Sequence, residues 1–93
     1  MDVEFDQVKD ALNQAKHKLP LRLAELVFLG PFVEEEDYRE AYGETRFVAT
    51  GPIASLDGRV FVVVYTWRNN TRRIISFRKA NDRELRKYRT GVA

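Results

Sequence analysis

Residues 59–79 read RVFVVVYTWRNNTRRIISFRK and carry the clearest secondary-structure signal in the chain. Residues 59–67 are dense in β-branched and aromatic side chains, which is typical of a central strand covered on both faces. Asn69-Asn70 can adopt the left-handed backbone conformations that a tight hairpin requires. Residues 72–79 then form the returning strand. The segment therefore predicts a hairpin at the centre of an antiparallel sheet.

Two helices are predicted on the N-terminal side of this hairpin. After a short Val3–Phe5 segment, Asp6 is a candidate helix cap, and residues 7–17 have the three- and four-residue apolar spacing of an amphipathic helix. Pro20 can open a second helix with a broad apolar face, and Gly30-Pro31 ends it. The apolar positions of the first helix are Val8, Ala11, Leu12 and Ala15.

The remaining segments complete an α+β fold. Residues 44–52 alternate as a strand does, and Asp57-Gly58 is a turn signal before the central strand. The acidic residues 32–42 are compatible with a short strand and loop. Asn81 and Glu84 have the spacing of a capping box, which opens a last helix with Leu85 and Tyr88 inward. We expect a single domain over residues 1–93, with an N-terminal helical pair packed on an antiparallel sheet of three to four strands and a C-terminal helix.

Composition excludes several classes of protein. With 93 residues, the chain is long enough for one small core. It has no cysteine, so disulfides and cysteine-based zinc sites are excluded, which fits a reducing cytoplasm. No apolar run approaches a membrane span, and the acidic N-terminus does not have the order of a signal peptide. We therefore expect a soluble cytoplasmic protein without a cofactor.

The charge is distributed unevenly along the chain. Residues 34–44 contain five Glu, one Asp and one Arg, a balance of −5, whereas residues 68–89 contain nine Lys or Arg against two acids, a balance of +7. This division indicates a site for a polyanion, with RNA the first candidate, and a possible second partner for the acidic part. The alternative is two solvated charged faces.

The returning strand carries candidates for phosphate binding. Strict alternation places Arg72, Ile74, Ser76 and Arg78 on one face and the residues between them on the other. Arg78-Lys79 ends the strand just before a helix N-terminus, which suits phosphate. Phe77 and Tyr88 are interpreted as core residues, Phe77 more firmly. Further basic and aromatic residues that could hold RNA are Lys16, Trp67, Arg68, Arg83, Arg86, Lys87 and Arg89.

Two residues could transfer a proton. His17 is the only histidine, so it cannot form a two-histidine metal site, and no ligand-spaced cluster is present. Metal-independent RNA cleavage needs a proton acceptor, a proton donor and cations at the phosphate, and histidine titrates in the right range. From composition alone, the ordinary alternative of an exposed helix-end residue is favoured for His17. Glu44, beside Arg46, is either a base or a surface ion pair.

Several segments together resemble the BrnT family of toxins. They are residues 3–6, 13–17, 27–28, 43–47, Gly51, 62–66, Arg68 and, most specifically, 73–80, with Glu84 and Tyr88 behind them. The resemblance implies a RelE-like ribonuclease toxin of a type II toxin–antitoxin system, which cleaves RNA and inhibits translation without a metal. It also implies a BrnA antitoxin whose ribbon-helix-helix part binds promoter DNA.

The resemblance also implies roles for residues in the matched segments. Arg78 and Lys79 would contact the scissile phosphate, Arg46 and Arg68 would stabilise phosphate or transition-state charge, and His17 or Glu44 would transfer the proton. Other hypotheses remain open: a non-catalytic nucleic-acid-binding or antitoxin-docking module, or a structural subunit. The sequence leaves undetermined the RNA target, base preference, ribosome dependence, oligomeric state and the role of the acidic segment, which could contact the antitoxin or screen the basic face.

Overall fold

The computed structural model describes residues 3–39 and 41–91. In these ranges the strands are β1 (Val3–Phe5), β2 (Val33–Asp37), β3 (Arg46–Ile53), β4 (Arg59–Arg68) and β5 (Thr71–Lys79). The α-helices are α1 (Gln7–His17) and α2 (Asp82–Gly91). Two 3₁₀ helices span Leu21–Leu29 and Ala54–Leu56. None of the helices in these ranges is long and apolar enough to cross a membrane.

The described strands form one mixed sheet in the order β1-β5-β4-β3-β2. The prediction of an α+β fold is confirmed, but the prediction of a purely antiparallel sheet of three to four strands is wrong. β1 runs parallel to β5, and the acidic residues of β2 pair with β3. Both added strands lie at the sheet edges, where a strand can be short or highly charged because one side remains open to water. Neither has a periodic pattern that would reveal its pairing.

The predicted pair of N-terminal α-helices is also corrected. The first helix has the predicted bounds, whereas the second, Leu21–Leu29, is a 3₁₀ helix. Its fully buried residues Leu21, Ala24 and Val27 recur every three positions, which matches the period of a 3₁₀ helix. The backbone N–H of Leu23 donates to the carbonyl of Pro20 at 3.2 Å, as this winding requires.

β4 lies at the middle of the core and is buried on both faces, as predicted. Phe61, Val63 and Tyr65 pack in one cluster with the 3₁₀ helix. Val62 and Val64 are also buried, on the opposite face, where they share a depression with residues of β2, β5 and α2. The hairpin prediction is confirmed by Asn69 and Asn70, whose φ angles are 51° and 63°.

A β-bulge in β5 overturns the predicted alternation of its side chains. Tyr65 pairs with Ile74 and Val64 pairs with Ser76, so Ile75 is an extra residue. The bulge turns Ile74 and Phe77 to the same side, and both are fully buried in the core. Arg78 lies on the opposite face from Phe77, as alternation after the bulge requires. A bulge cannot be seen in the sequence because it depends on the register with the neighbouring strand.

α1 is attached to the sheet by a polar residue rather than by its apolar stripe. Asn13 Nδ2 donates to the carbonyl of Phe77 at 2.7 Å and to that of Leu19 at 2.8 Å, and Asn13 Oδ1 accepts from the Phe77 N–H at 3.1 Å. β1 pairs with β5 only as far as Ile74, so Asn13 pairs with the strand edge beyond it. Val8 and Leu12 are 68% and 65% exposed.

Replacing Asn13 with alanine should lower the free energy of unfolding by roughly 2–3 kcal/mol, because three hydrogen bonds are lost and a buried peptide group is left unpaired. Urea unfolding measures the change. The matched control is Leu12→Ala on the exposed side of α1, which should change stability by no more than about 0.5 kcal/mol. Equal losses in both variants would contradict the assignment of Asn13 as the docking residue.

Candidate functional site

A hydrogen-bonded network joins the end of β5 to the start of α2. Arg78 donates to both oxygens of Glu84, at 2.7 and 2.8 Å. Glu84 also accepts from the Asn81 N–H at 2.9 Å, and its own N–H donates to Asn81 Oδ1 at 2.8 Å. The predicted capping box is therefore present, and it orients Arg78 as well as the helix.

The network shifts the titration of both charged partners. The hydrogen bond from Arg78 lowers the pKa of Glu84 below its ordinary value. The same bond raises the pKa of Arg78. Part of the Arg78 charge is thus matched inside the protein, and its guanidinium is held in a fixed position.

His17 lies at the C-terminal end of α1, one turn beyond Asn13. Asn13 fixes the helix to Phe77, so the imidazole is brought to the part of β5 that contains Arg78. Partial burial, then the charges of Lys16 and Arg78, lower the pKa of His17 below its ordinary value of 6.5. Within residues 3–39 and 41–91 the imidazole makes no hydrogen bond. A lowered pKa favours the uncharged imidazole, which is the form that can accept a proton.

Lys79 ends β5 next to Arg78 and is exposed. In contrast to Arg78, it makes no ion pair with any acid in the described part of the chain. Lys16, also exposed, immediately precedes His17. The end of β5 therefore carries an arginine held by Glu84 and an exposed lysine, and the end of α1 brings His17 close enough for the charge of Arg78 to lower its pKa. This group of His17, Arg78 and Lys79 is called the β5-end cluster.

The other predicted catalytic residues form a second group at the opposite end of the sheet. Glu44 accepts a hydrogen bond from Arg46 Nε at 3.1 Å and lies 4.0 Å from Arg68. The Arg46 guanidinium lies 4.0 Å above the ring centre of Tyr42. This group of Glu44, Arg46 and Arg68 is called the hairpin-end cluster.

The two clusters are too far apart to contact one phosphate. Arg78 pairs with Val62, and Arg68 is six residues further along β4. At roughly 3.3 Å per residue, this separation is about 20 Å. The structure thus groups the six predicted catalytic residues into two sets of three.

The predicted RNA-contacting residues are spread around the molecule. Lys16 lies beside the β5-end cluster. Trp67 is 49% exposed and lies at the hairpin end, where the Arg72 guanidinium is 4.6 Å from its ring centre. Arg83, Arg86 and Lys87 are exposed on α2, and Lys87 forms a 2.9 Å ion pair with Glu35. Since both partners of this pair are well exposed, it is weak and leaves Lys87 accessible.

Two acids of the acidic segment, Glu34 and Asp37, are engaged within the protein. Glu34 accepts a hydrogen bond from the Tyr65 hydroxyl, and burial together with this bond raises the pKa of Tyr65 to about 12. Arg39 donates to both oxygens of Asp37, which lowers the pKa of that carboxyl. In the described residues, no three His, Asp or Glu side chains converge as a metal site would require.

Sequence reasoning missed the residues that position the β5-end cluster. Asn13 docks α1, and a polar residue on a helix gives no signal of its partner. Glu84 was recognised as a helix cap, but its pairing with Arg78 depends on the angle between β5 and α2. At the hairpin end of the sheet, the contact of the Arg72 guanidinium with the Phe28 ring, 3.9 Å from its centre, likewise has no signal in the sequence.

Comparison with known proteins agrees with the sequence resemblance. The profile of one family, described as ribonuclease toxin, BrnT, of type II toxin-antitoxin system, matches residues 5–84. Among solved structures, the chain is similar to the ribonuclease toxin BrnT of Brucella abortus, with 26% identity and a TM-score of 0.61. That alignment covers 88% of this chain and 99% of the Brucella chain. A search of curated proteins gives no match.

The pKa of His17 can be measured directly, because the chain has one histidine. An NMR titration of the imidazole should give a pKa below 6.5, and Lys16→Gln should move it upward, since a neighbouring positive charge is removed. Lys9→Gln, on the same helix but at its first turns, should leave it unchanged. A wild-type value at or above 6.5 would contradict the placement of His17 beside these cations.

Glu84→Gln should lower stability at pH 7 while retaining most of the helix cap. Because the folded-state pKa of Glu84 is lowered, its stabilising effect is complete above its unfolded value of 4.5 and is lost as pH falls through the folded value. Thermal unfolding should therefore give the variant a lower Tm than wild type at pH 7, and the two Tm values should converge below pH 4.5. Glu36→Gln, an exposed β2 control, should show no such convergence.

Proposed function

Because the chain belongs to the BrnT family of ribonuclease toxins from type II toxin–antitoxin systems, we propose that it is a metal-independent endoribonuclease whose reaction takes place at the β5-end cluster. Residues 1–93 act as one domain on RNA in the cytoplasm, and cleavage inhibits translation. The observation that carries the proposal is that Arg78, held by Glu84, and exposed Lys79 end β5 near His17, whose pKa is lowered by partial burial and by the charges of Lys16 and Arg78.

The chemistry follows from these three groups. Neutral His17 accepts the proton of a ribose 2′-hydroxyl, whose oxygen then bonds to the adjacent phosphorus. Arg78 and Lys79 stabilise the negative charge that develops on the phosphate oxygens. The bond from phosphorus to the 5′-oxygen breaks, and that oxygen takes a proton from a cationic group or from water. The products are a 2′,3′-cyclic phosphate and a 5′-hydroxyl end.

The pairing of Arg78 with Glu84 supports a positioning contribution as well. An arginine held by two hydrogen bonds to a carboxylate keeps donors available on its other side, at a fixed angle to the strand. Lys79, which lacks such a partner, can move to follow the phosphate charge as it develops. We therefore assign Lys79 the larger part of charge stabilisation and Arg78 the orientation of the phosphate.

The hairpin-end cluster is assigned a separate role in this proposal. About 20 Å separates it from the β5-end cluster, which corresponds to several nucleotides of an extended strand. Arg46 and Arg68, with exposed Trp67 beside them, would hold RNA away from the cleaved bond rather than take part in bond breaking. Glu44 orients the two arginines through its contacts at 3.1 and 4.0 Å.

An antitoxin partner is expected from the family, and we propose that it is a BrnA-type protein with a DNA-binding ribbon-helix-helix part. It would neutralise the toxin by covering the β5-end cluster. Exposed Lys79 and the neighbouring Lys16 favour an acidic covering segment, which would also speed association. The same cations would serve a non-catalytic RNA-binding module, and cleavage distinguishes that alternative.

Purified protein should cut single-stranded RNA in the presence of EDTA, and a 2′-deoxy substitution at the cut position should block the reaction. Lys79→Ala and His17→Ala should each reduce the rate by about 100-fold or more. Arg68→Ala is the control for the other cluster, and its rate at saturating RNA should fall by less than about 3-fold.

Three outcomes contradict parts of this proposal. Cleavage that needs an added divalent ion would exclude metal independence. Loss of activity in Arg68→Ala with full activity in Lys79→Ala would move the reaction to the hairpin end. Salt-sensitive RNA binding without cleavage by the folded protein would favour the non-catalytic module.

A further inference from the structure

A groove of about 510 Å³ opens beside the β5-end cluster. It lies between the turn that precedes β4, the end of β5 and one side of α2. Val60 and Leu85 are among its apolar lining residues, and Arg59, Lys79 and Arg89 are its cations. Asp57 is the one acid among the lining residues. The volume of the groove is in the range of sites that hold small ligands.

The cations of this groove differ from most others on the sheet. Arg46, Arg68, Arg73 and Arg78 each have a carboxylate within 4.0 Å. Arg59, Lys79 and Arg89 are exposed and make no ion pair with an acid in the described ranges. Three uncompensated positive charges thus surround one depression, with a single carboxylate beside them.

The combination of an apolar floor and free cations fits one kind of ligand. A phosphodiester chain supplies negative charges for the cations, and an unstacked base supplies an apolar face for Val60 and Leu85. In a duplex the bases are stacked inside and could not reach this floor. A free anion would satisfy the charges but would leave the apolar surface exposed.

We propose that this groove is a binding subsite for single-stranded RNA, occupied by a nucleotide adjacent to the cleaved bond. Arg59 and Arg89 hold its phosphate, and Lys79 belongs both to the groove and to the β5-end cluster. The proposal rests on the function proposed above, whose substrate it specifies as unpaired RNA. Neither Arg59 nor Arg89 takes part in bond breaking.

The test uses the full chain and a short 2′-O-methyl RNA, which cannot be cleaved, so binding is measured separately from catalysis. Fluorescence anisotropy is recorded from low to moderate salt for wild type and for Arg59→Ala/Arg89→Ala. The double variant should bind at least 10-fold more weakly at low salt. Its slope of log affinity against log salt should fall by about 1.4, since two phosphate contacts are lost from a single strand.

The charge-matched control is Lys9→Ala/Arg22→Ala. Both residues are exposed and lie on α1 and the 3₁₀ helix, away from the groove. This control should keep the wild-type slope and lose less than 3-fold in affinity. Circular dichroism of each variant establishes that it is folded. A second readout is RNA cleavage, in which the groove variant should show raised KM and nearly unchanged kcat.

The outcomes separate this proposal from the proposed function. Weakened binding in the groove variant alone supports the subsite, even if wild type does not cleave RNA. Equal slopes and affinities for the groove variant and its control overturn the subsite, even if cleavage is found. Binding of a duplex as tightly as the single strand also overturns it.

Discussion

The burial of β4 on both faces is the constraint on which the rest of the structure depends. Residues 61–66 are each at least about nine-tenths buried, so the sheet needs cover on two sides. The N-terminal helices supply it on the face of Phe61, Val63 and Tyr65. On the other face, where Val62 and Val64 lie, α2 is joined to β5 through Arg78 and Glu84. Elements from both ends of the chain thereby meet at the end of β5, and the proposed reaction site is a consequence of this meeting.

The same arrangement determines which charged side chains of the chain form ion pairs and which do not. Most cations of the sheet lie within 4.0 Å of a carboxylate, as Arg73 does with Glu4 and Arg46 with Glu44. At the end of β5 the pairing stops after Arg78. Within residues 3–39 and 41–91, Lys79 and the nearby Arg59 and Arg89 make no ion pair, so unpaired positive charge collects around the groove that they line. A net charge of only +2 is therefore compatible with a basic local surface around Lys79, whereas Arg78 shares its depression with Glu35, Glu36 and Asp37 of β2.

The residue types of the candidate site could be predicted, but their grouping could not. His17 lies about 60 positions before Arg78 and Lys79 in the sequence, and the buried carboxamide of Asn13 holds α1 against β5. Glu44, Arg46 and Arg68 have equally suitable chemistry and lie about 20 Å away because the register of β4 puts them there. The bulge at Ile75 also depends on the register between β4 and β5. The hydrogen-bonded pairing of the two strands determines the face on which each side chain lies, and the sequence of one strand does not determine that pairing.

The sequence by itself determined the features that depend on interactions between residues close together in the chain. Propensities and hydrogen bonds within a few residues account for the bounds of α1, the Asn69-Asn70 hairpin, the buried β4 run and the Asn81–Glu84 cap. The family resemblance depends on the identity and order of residues along the chain, and it too was confirmed. Tertiary structure alone decided the parallel pairing of β1, the pairing of the acidic strand β2 with β3, the 3₁₀ winding of Leu21–Leu29 and the separation of the two charge clusters. Each of these features depends on contacts between residues that are distant in sequence. Such contacts stabilise the structure only once the core has assembled.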